Sequence, residues 1–188
     1  AQLSRNSLLM NQPATKVLVI GYVWPEPRSS AAGGHMMQIL ESFLAQGWEI
    51  TFSSPAAIGE HKADLAALGI RECAIELNNS SFDEFIRELA PDIVLFDRFM
   101  MEEQFGWRVE KHCPDALRVL ETSDLQSLRD ARHQRLKDHL KSQPDADDFS
   151  PLFAPALDEE FQLMAPTDLA KREIAAIYRC DISLMISD

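Results

Sequence analysis

The sequence predicts an α/β fold built on a doubly wound, mainly parallel sheet, and three observations carry that expectation. Lys16 to Gly21 is a continuous run rich in β-branched residues, the pattern of a strand buried on both faces. A helical pattern, a stop glycine at Gly47 and a second strand follow, the order of a βαβ unit with parallel pairing. The same alternation then recurs to the end of the chain.

Each element has its own warrant. Gly33 and Gly34 open a helix in which Met36, Met37, Leu40, Phe43 and Leu44 share a face, and Gly47 closes it. Trp48 to Ser53 reads as the second strand and Ile70 to Leu77 as a weaker third. Ser81 to Glu84 has capping-box spacing ahead of a helix with Phe82, Phe85, Ile86 and Leu89 in phase. Pro91 ends that helix, and Ile93 to Phe96 is a buried strand delivering Asp97 and Arg98 at its carboxyl end. A helix over Glu102 to His112 and a strand over Leu117 to Leu120 come next. Leu125, Leu128, Leu136 and Leu140 suit a longer helix with a basic exposed side. Gln143 to Pro155 breaks the rhythm, a helix around Thr167 to Tyr178 restores it, and Ile182 to Ile186 is the last strand. About six strands with helical crossovers make a Rossmann-like sheet.

The bulk properties narrow the function. The 188 residues suffice for one well-buried core, so a flexible leader over 1–15 and one domain over 16–188 are expected. The formal charge of −12 opposes nucleic-acid binding, and no apolar run is long enough for a transmembrane segment. Three scattered cysteines suggest neither a disulfide framework nor a zinc site, and reduced thiols fit a cytoplasmic protein. The chain stops at Asp188 directly after the last strand, where another element normally follows, so a further domain is expected beyond it.

Ligands of open parallel sheets bind beyond the carboxyl ends of the strands. That rule selects the loop before Gly33 and Gly34, the pair Asp97 and Arg98, and Thr122 to Asp124. The loop from Tyr22 to Ala32 is too long for a dinucleotide-binding turn, and the second strand ends in serines instead of a ribose-binding acid. A nicotinamide dehydrogenase is thereby disfavoured. A receiver domain fares no better, because Tyr22-Val23-Trp24 stands where its acidic pair belongs. Gly-Gly at a helix start can attract a phosphate through free N–H groups, Asp97 and Asp124 can accept from sugar hydroxyls, and Arg98 can donate to an anion. Asp124 is equally suited to capping the helix that follows it.

The strand Lys16 to Gly21, the long Pro-containing loop, Gly33-Gly34-His35 and the segment Leu44 to Ile50 resemble the opening of glycosyltransferases of the GT-B fold, in the family-4-like group. Pro91 to Asp97, Glu102-Glu103, Leu120 to Arg129 with Arg132, and the closing Asp181 to Asp188 are similar to later blocks of that group. The resemblance spans most of 16–188, and the order of the blocks carries it. It implies two Rossmann-like lobes, of which this chain would be the amino-terminal acceptor lobe. A carboxyl-terminal lobe, absent from this chain, would hold the nucleotide-sugar donor and a pair of glutamates. It further implies transfer with retention, no metal and no cofactor, and a saccharide, lipid-linked or protein acceptor. The location implied is cytoplasmic, with a peripheral place at the inner membrane face open to it.

On that reading Gly33, Gly34 and His35 lie near the donor diphosphate, and Arg98, Arg129 and Arg132 are candidate contacts to substrate or phosphate. Asp97 and Asp124 are the catalytic candidates. Gln126 stands near a position where related members often carry a histidine, so the assisting group on the acceptor side stays open. The basic stretch Arg129 to Lys137 is better explained as a solvated helix face, and Asp145-Ala146-Asp147 as a solvated loop, since no buried strand precedes it. The second functional reading is a non-catalytic binding or scaffold domain of the same topology.

Overall fold

A computed structural model of the chain describes residues 13–122, 125–143, 148–153 and 157–185. The elements are β1 (Lys16–Ile20), α1 (Ala31–Ala45), β2 (Glu49–Ser54), β3 (Arg71–Ala74), α2 (Ser81–Leu89), β4 (Ile93–Asp97), α3 (Phe99–His112), β5 (Leu117–Glu121), α4 (Gln126–Ser142), α5 (Ser150–Phe153), α6 (Leu157–Met164), α7 (Asp168–Arg179) and β6 (Ile182–Leu184). The strands form one six-stranded sheet in the order β3-β2-β1-β4-β5-β6. Every pairing is parallel, so the fold is Rossmann-like.

The central strands are apolar because both faces are covered. Leu18, Ile20, Val94 and Phe96 face α2 and α3 in a cluster with Phe82 and Phe105. Val17, Val19 and Leu95 face the other way, with Met36 and Leu40 of α1 and with Phe52. Alternating residues of one strand thus feed two separate cores. β3 and β6 are the sheet's edges, and their residues are exposed or half-buried.

Several expected boundaries move for local reasons. α1 starts at Ala31, not at the glycine pair, because Ser30 caps it by accepting the Gly33 N–H through Oγ. The capping box at Ser81 does not form; Asn79 Oδ1 accepts the Ser81 N–H instead. α3 begins at Phe99, three residues before the sequence suggested, as the turn at Arg98 leads straight into it. Leu136 and Leu140 of α4 are exposed, whereas Ser127 and Ala131 are buried. The expected leader is described only from Pro13, and Thr15 already accepts the Glu49 N–H at the start of β2. Helix α6 lies just after the Pro-rich break and was not expected. The Asp145–Asp147 motif lies outside the described residues, as does Ile186, the expected end of the last strand.

Leu125, at the N-cap of α4, has no side chain that can cap the helix. Glu173 of α7 supplies one: its carboxylate accepts the Gln126 N–H at 2.8 Å, and the Ser127 N–H at 3.2 Å and hydroxyl at 2.6 Å. Glu102 of α3 likewise takes the Arg179 guanidinium in a bidentate pair, with Nε 2.8 Å and Nη2 2.5 Å away.

Candidate ligand site at the switch point

The chain runs outward from β1 through β2 to β3, then crosses back to begin β4 beside β1. The loops leaving β1 and β4 therefore diverge, and the gap between them is the switch point where such sheets bind ligands. A cavity of about 210 Å³ opens there. Its polar lining includes Glu26, His35, Asp97, Arg98 and Glu121, and the first turn of α1 forms one wall.

The loop after β1 is held in place from both sides. Trp24 donates its indole N–H to the Ala56 carbonyl at 2.9 Å and packs on Phe52. The Glu26 carbonyl accepts the N–H groups of Ser29 and Ser30, which turns the chain into α1. A Cβ at position 33 would lie 2.6 Å from the Glu26 carbonyl, so only glycine lets the helix sit this close to the loop. A Cβ at position 59 would collide with the Glu26 carboxylate from the opposite side. Gly34 has no such neighbour. The amides of both glycines are already bonded, to Ser30 Oγ and to the Ser30 carbonyl. The anion-attracting helix end is therefore displaced from the glycine pair to Ala31 and Ala32.

Asp97 ends β4 and is 7 % exposed. Its Oδ2 accepts the Tyr22 N–H at 3.0 Å, which ties the β1 loop to the end of β4. Burial pushes its carboxyl up to about 6, against the opposing pull of that N–H and of Arg98. Arg98 takes φ 73°, a left-handed conformation that side chains rarely adopt. Its N–H donates to the Glu121 carbonyl at 2.8 Å, which fixes the turn into α3. The guanidinium lies over the Tyr22 ring, 4.7 Å from its centre, with Nε 3.8 Å from Asp97 Oδ1. Glu121, 1 % exposed at the end of β5, faces His35 Nε2 at 3.3 Å.

The structure thus brings Gly33, His35, Asp97 and Arg98 together, as the strand-end rule requires. Arg129 and Arg132 do not line the cavity. Both stand on α4, where Arg132 reaches Glu160 of α6 at 3.4 Å and its neighbour Arg135 reaches the same carboxylate at 2.9 Å. Asp124 lies outside the described residues. Glu26, Tyr22 and Glu121 are the site residues that sequence reasoning passed over. An acidic residue closing a buried strand at the ligand-binding edge was the available signal for Glu121.

Other chemistry is sparse. All three cysteines are free, and burial raises each thiol, Cys180 to about 12, which keeps them protonated. Among the described residues no group of His, Cys, Asp and Glu is arranged to hold a metal ion, and no helix is long and apolar enough to cross a membrane.

No family model matches the sequence, and no curated protein matches it. Among solved structures, the chain is similar to cystathionine gamma synthase from Xanthomonas oryzae pv. oryzae in complex with cystathionine, with a TM-score of 0.29 and 12 % identity. The likeness covers 64 % of this chain and 26 % of that one. A match so partial says nothing about function, and the chemistry of the cavity has to carry the functional reading.

Proposed function

We propose that this chain is the amino-terminal, acceptor-holding lobe of a glycosyltransferase that moves a sugar from a nucleotide-sugar donor to a saccharide, lipid-linked or protein acceptor. The observation that carries the reading is the pairing of Asp97 and Arg98 in a polar cavity at the β1/β4 switch point. A carboxylate and a guanidinium side by side suit a ligand dense in hydroxyls. The order of sequence blocks that resembles the GT-B group points the same way. On this reading a second lobe supplies the donor site, transfer retains configuration, and the enzyme works in the cytoplasm.

Radiolabelled nucleotide sugars and saccharide acceptors test the division of labour. The chain alone should transfer no sugar and bind nucleotide sugars weakly in calorimetry, whereas the complete product of its gene should transfer. Tight donor binding by this chain, or a complete product that lacks a second α/β lobe, would overturn the reading and favour a binding domain.

A further inference from the structure

Two central side chains of the cavity are only partly used by the fold. Asp97 commits Oδ2 to the Tyr22 N–H, while Oδ1 makes no hydrogen bond to a described residue and has Arg98 Nε beyond hydrogen-bond length at 3.8 Å. Arg98 makes no side-chain hydrogen bond to a described residue: Nε is buried without a partner, and the guanidinium rests on Tyr22. Arg98 combines a positive φ of 73° with a side chain that lies beside the Asp97 carboxylate. An acceptor oxygen and a set of donors therefore stand next to each other at the cavity wall.

The surrounding charge decides what they suit. Asp97, Glu121 and Glu26 line the same space as Arg98 and His35, and His35 already faces Glu121. A phosphate or carboxylate on Arg98 would also sit beside Asp97, and repulsion would cancel much of the attraction. Neutral hydroxyls incur no such repulsion. One hydroxyl can donate to Asp97 Oδ1 while its neighbour on the same ring accepts from the Arg98 guanidinium.

We infer that Asp97 and Arg98 form a clamp for a vicinal diol of a neutral saccharide, and that Arg98 is a specificity residue of the acceptor site instead of a phosphate contact. The inference rests on the saccharide reading of the cavity given above. Arg98 acts by orienting the diol, and Tyr22 holds the guanidinium in place through the face of its ring.

Nitrogen-edited NMR of the chain, following the Arg98 Nε–H and the Tyr22 amide, tests the clamp. The probes are methyl α-glucoside, methyl α-mannoside and methyl α-galactoside, their monodeoxy analogues, and inorganic phosphate. At least one glycoside should shift both signals saturably, and phosphate should move neither. Removing one hydroxyl of the diol should weaken binding roughly tenfold, and so should Arg98→Met. Arg98→Lys, which keeps the charge without the planar fork, should fall between and guards against a misfolded variant. Saturable shifts with phosphate and none with glycosides would overturn the clamp but leave the transferase reading standing, as would glycosides that bind elsewhere on the chain. Glycoside binding at the clamp, with no sugar transfer by the complete gene product, would sink the transferase reading alone. No glycoside binding by the chain, together with no sugar transfer by the complete gene product, would remove both.

Discussion

Buried ionic groups are handled in opposite ways by the helical layer and by the cavity. In the helical layer, Glu102, Glu160 and Glu173 are nearly inaccessible, and each carboxylate meets guanidinium, hydroxyl or amide donors at hydrogen-bond distance. At the cavity, Asp97 is just as buried but receives one backbone N–H, and the neighbouring guanidinium has no hydrogen-bond partner among the described residues. The first arrangement closes the fold. The second leaves hydrogen-bonding capacity for something else, at a cost in stability. The contrast teaches that burial alone does not separate structural from functional charges; the completeness of their hydrogen bonding does.

If that contrast is right, substitutions in the two regions should have opposite signs. The largest effect is expected for Glu173→Ala, which leaves three donors at the start of α4 without their acceptor. A loss of about 2–4 kcal/mol in urea unfolding is expected. Glu173→Gln, which keeps an acceptor oxygen, should lose less, and equal losses would break the comparison.

Asp97→Asn comes next and should stabilise. The folded-state value of about 6 lies above the ordinary 3.8, so the native fold prefers the protonated carboxyl. Its stabilising contribution is complete below the unfolded value and is lost as pH rises through about 6. Ionised Asp97 therefore costs roughly 3 kcal/mol at pH well above that value. Asparagine keeps an acceptor for the Tyr22 N–H without the charge. The variant should melt several degrees higher than the parent at about pH 8, and the gap should shrink towards about pH 5.5. A gap that ignores pH would place the cause elsewhere.

The smallest effect is expected from Arg98→Gly, which relieves the left-handed backbone but gives up the Tyr22 contact. A net gain of about 1 kcal/mol is expected, visible as a higher urea midpoint. Lower stability would show that Arg98 belongs to the structural class after all.

The sequence reveals these two regions unequally. The sheet was legible because β1, β4 and α1 carry strict apolar patterns set by burial on fixed faces. Asp97 and Arg98 were legible because topology alone places strand ends at the ligand edge. The helical layer was not, since α4 turns Ser127, Ala131 and Arg135 inward and leaves two leucines out, a choice made by Glu160 and Glu173 on other helices. Nothing local in a basic helix announces partners more than twenty residues downstream. The His35–Glu121 contact escaped for the same reason: it joins α1 to the end of β5, and neither segment implies the other.

The two glycines that flank Glu26 have one more consequence. At Gly33 an added methyl group meets main chain, which has nowhere to go without disturbing the start of α1. At Gly59 it meets only the far end of a flexible carboxylate, which can swing aside. Position 33 therefore fixes where the cavity wall stands, and position 59 tunes where a negative charge sits on that wall. A change as slight as Gly59→Ala, on the lining of the pocket itself, can retune its electrostatics by moving a neighbour's charge, so ligand preference in such a domain can drift through a residue that offers the ligand no functional group.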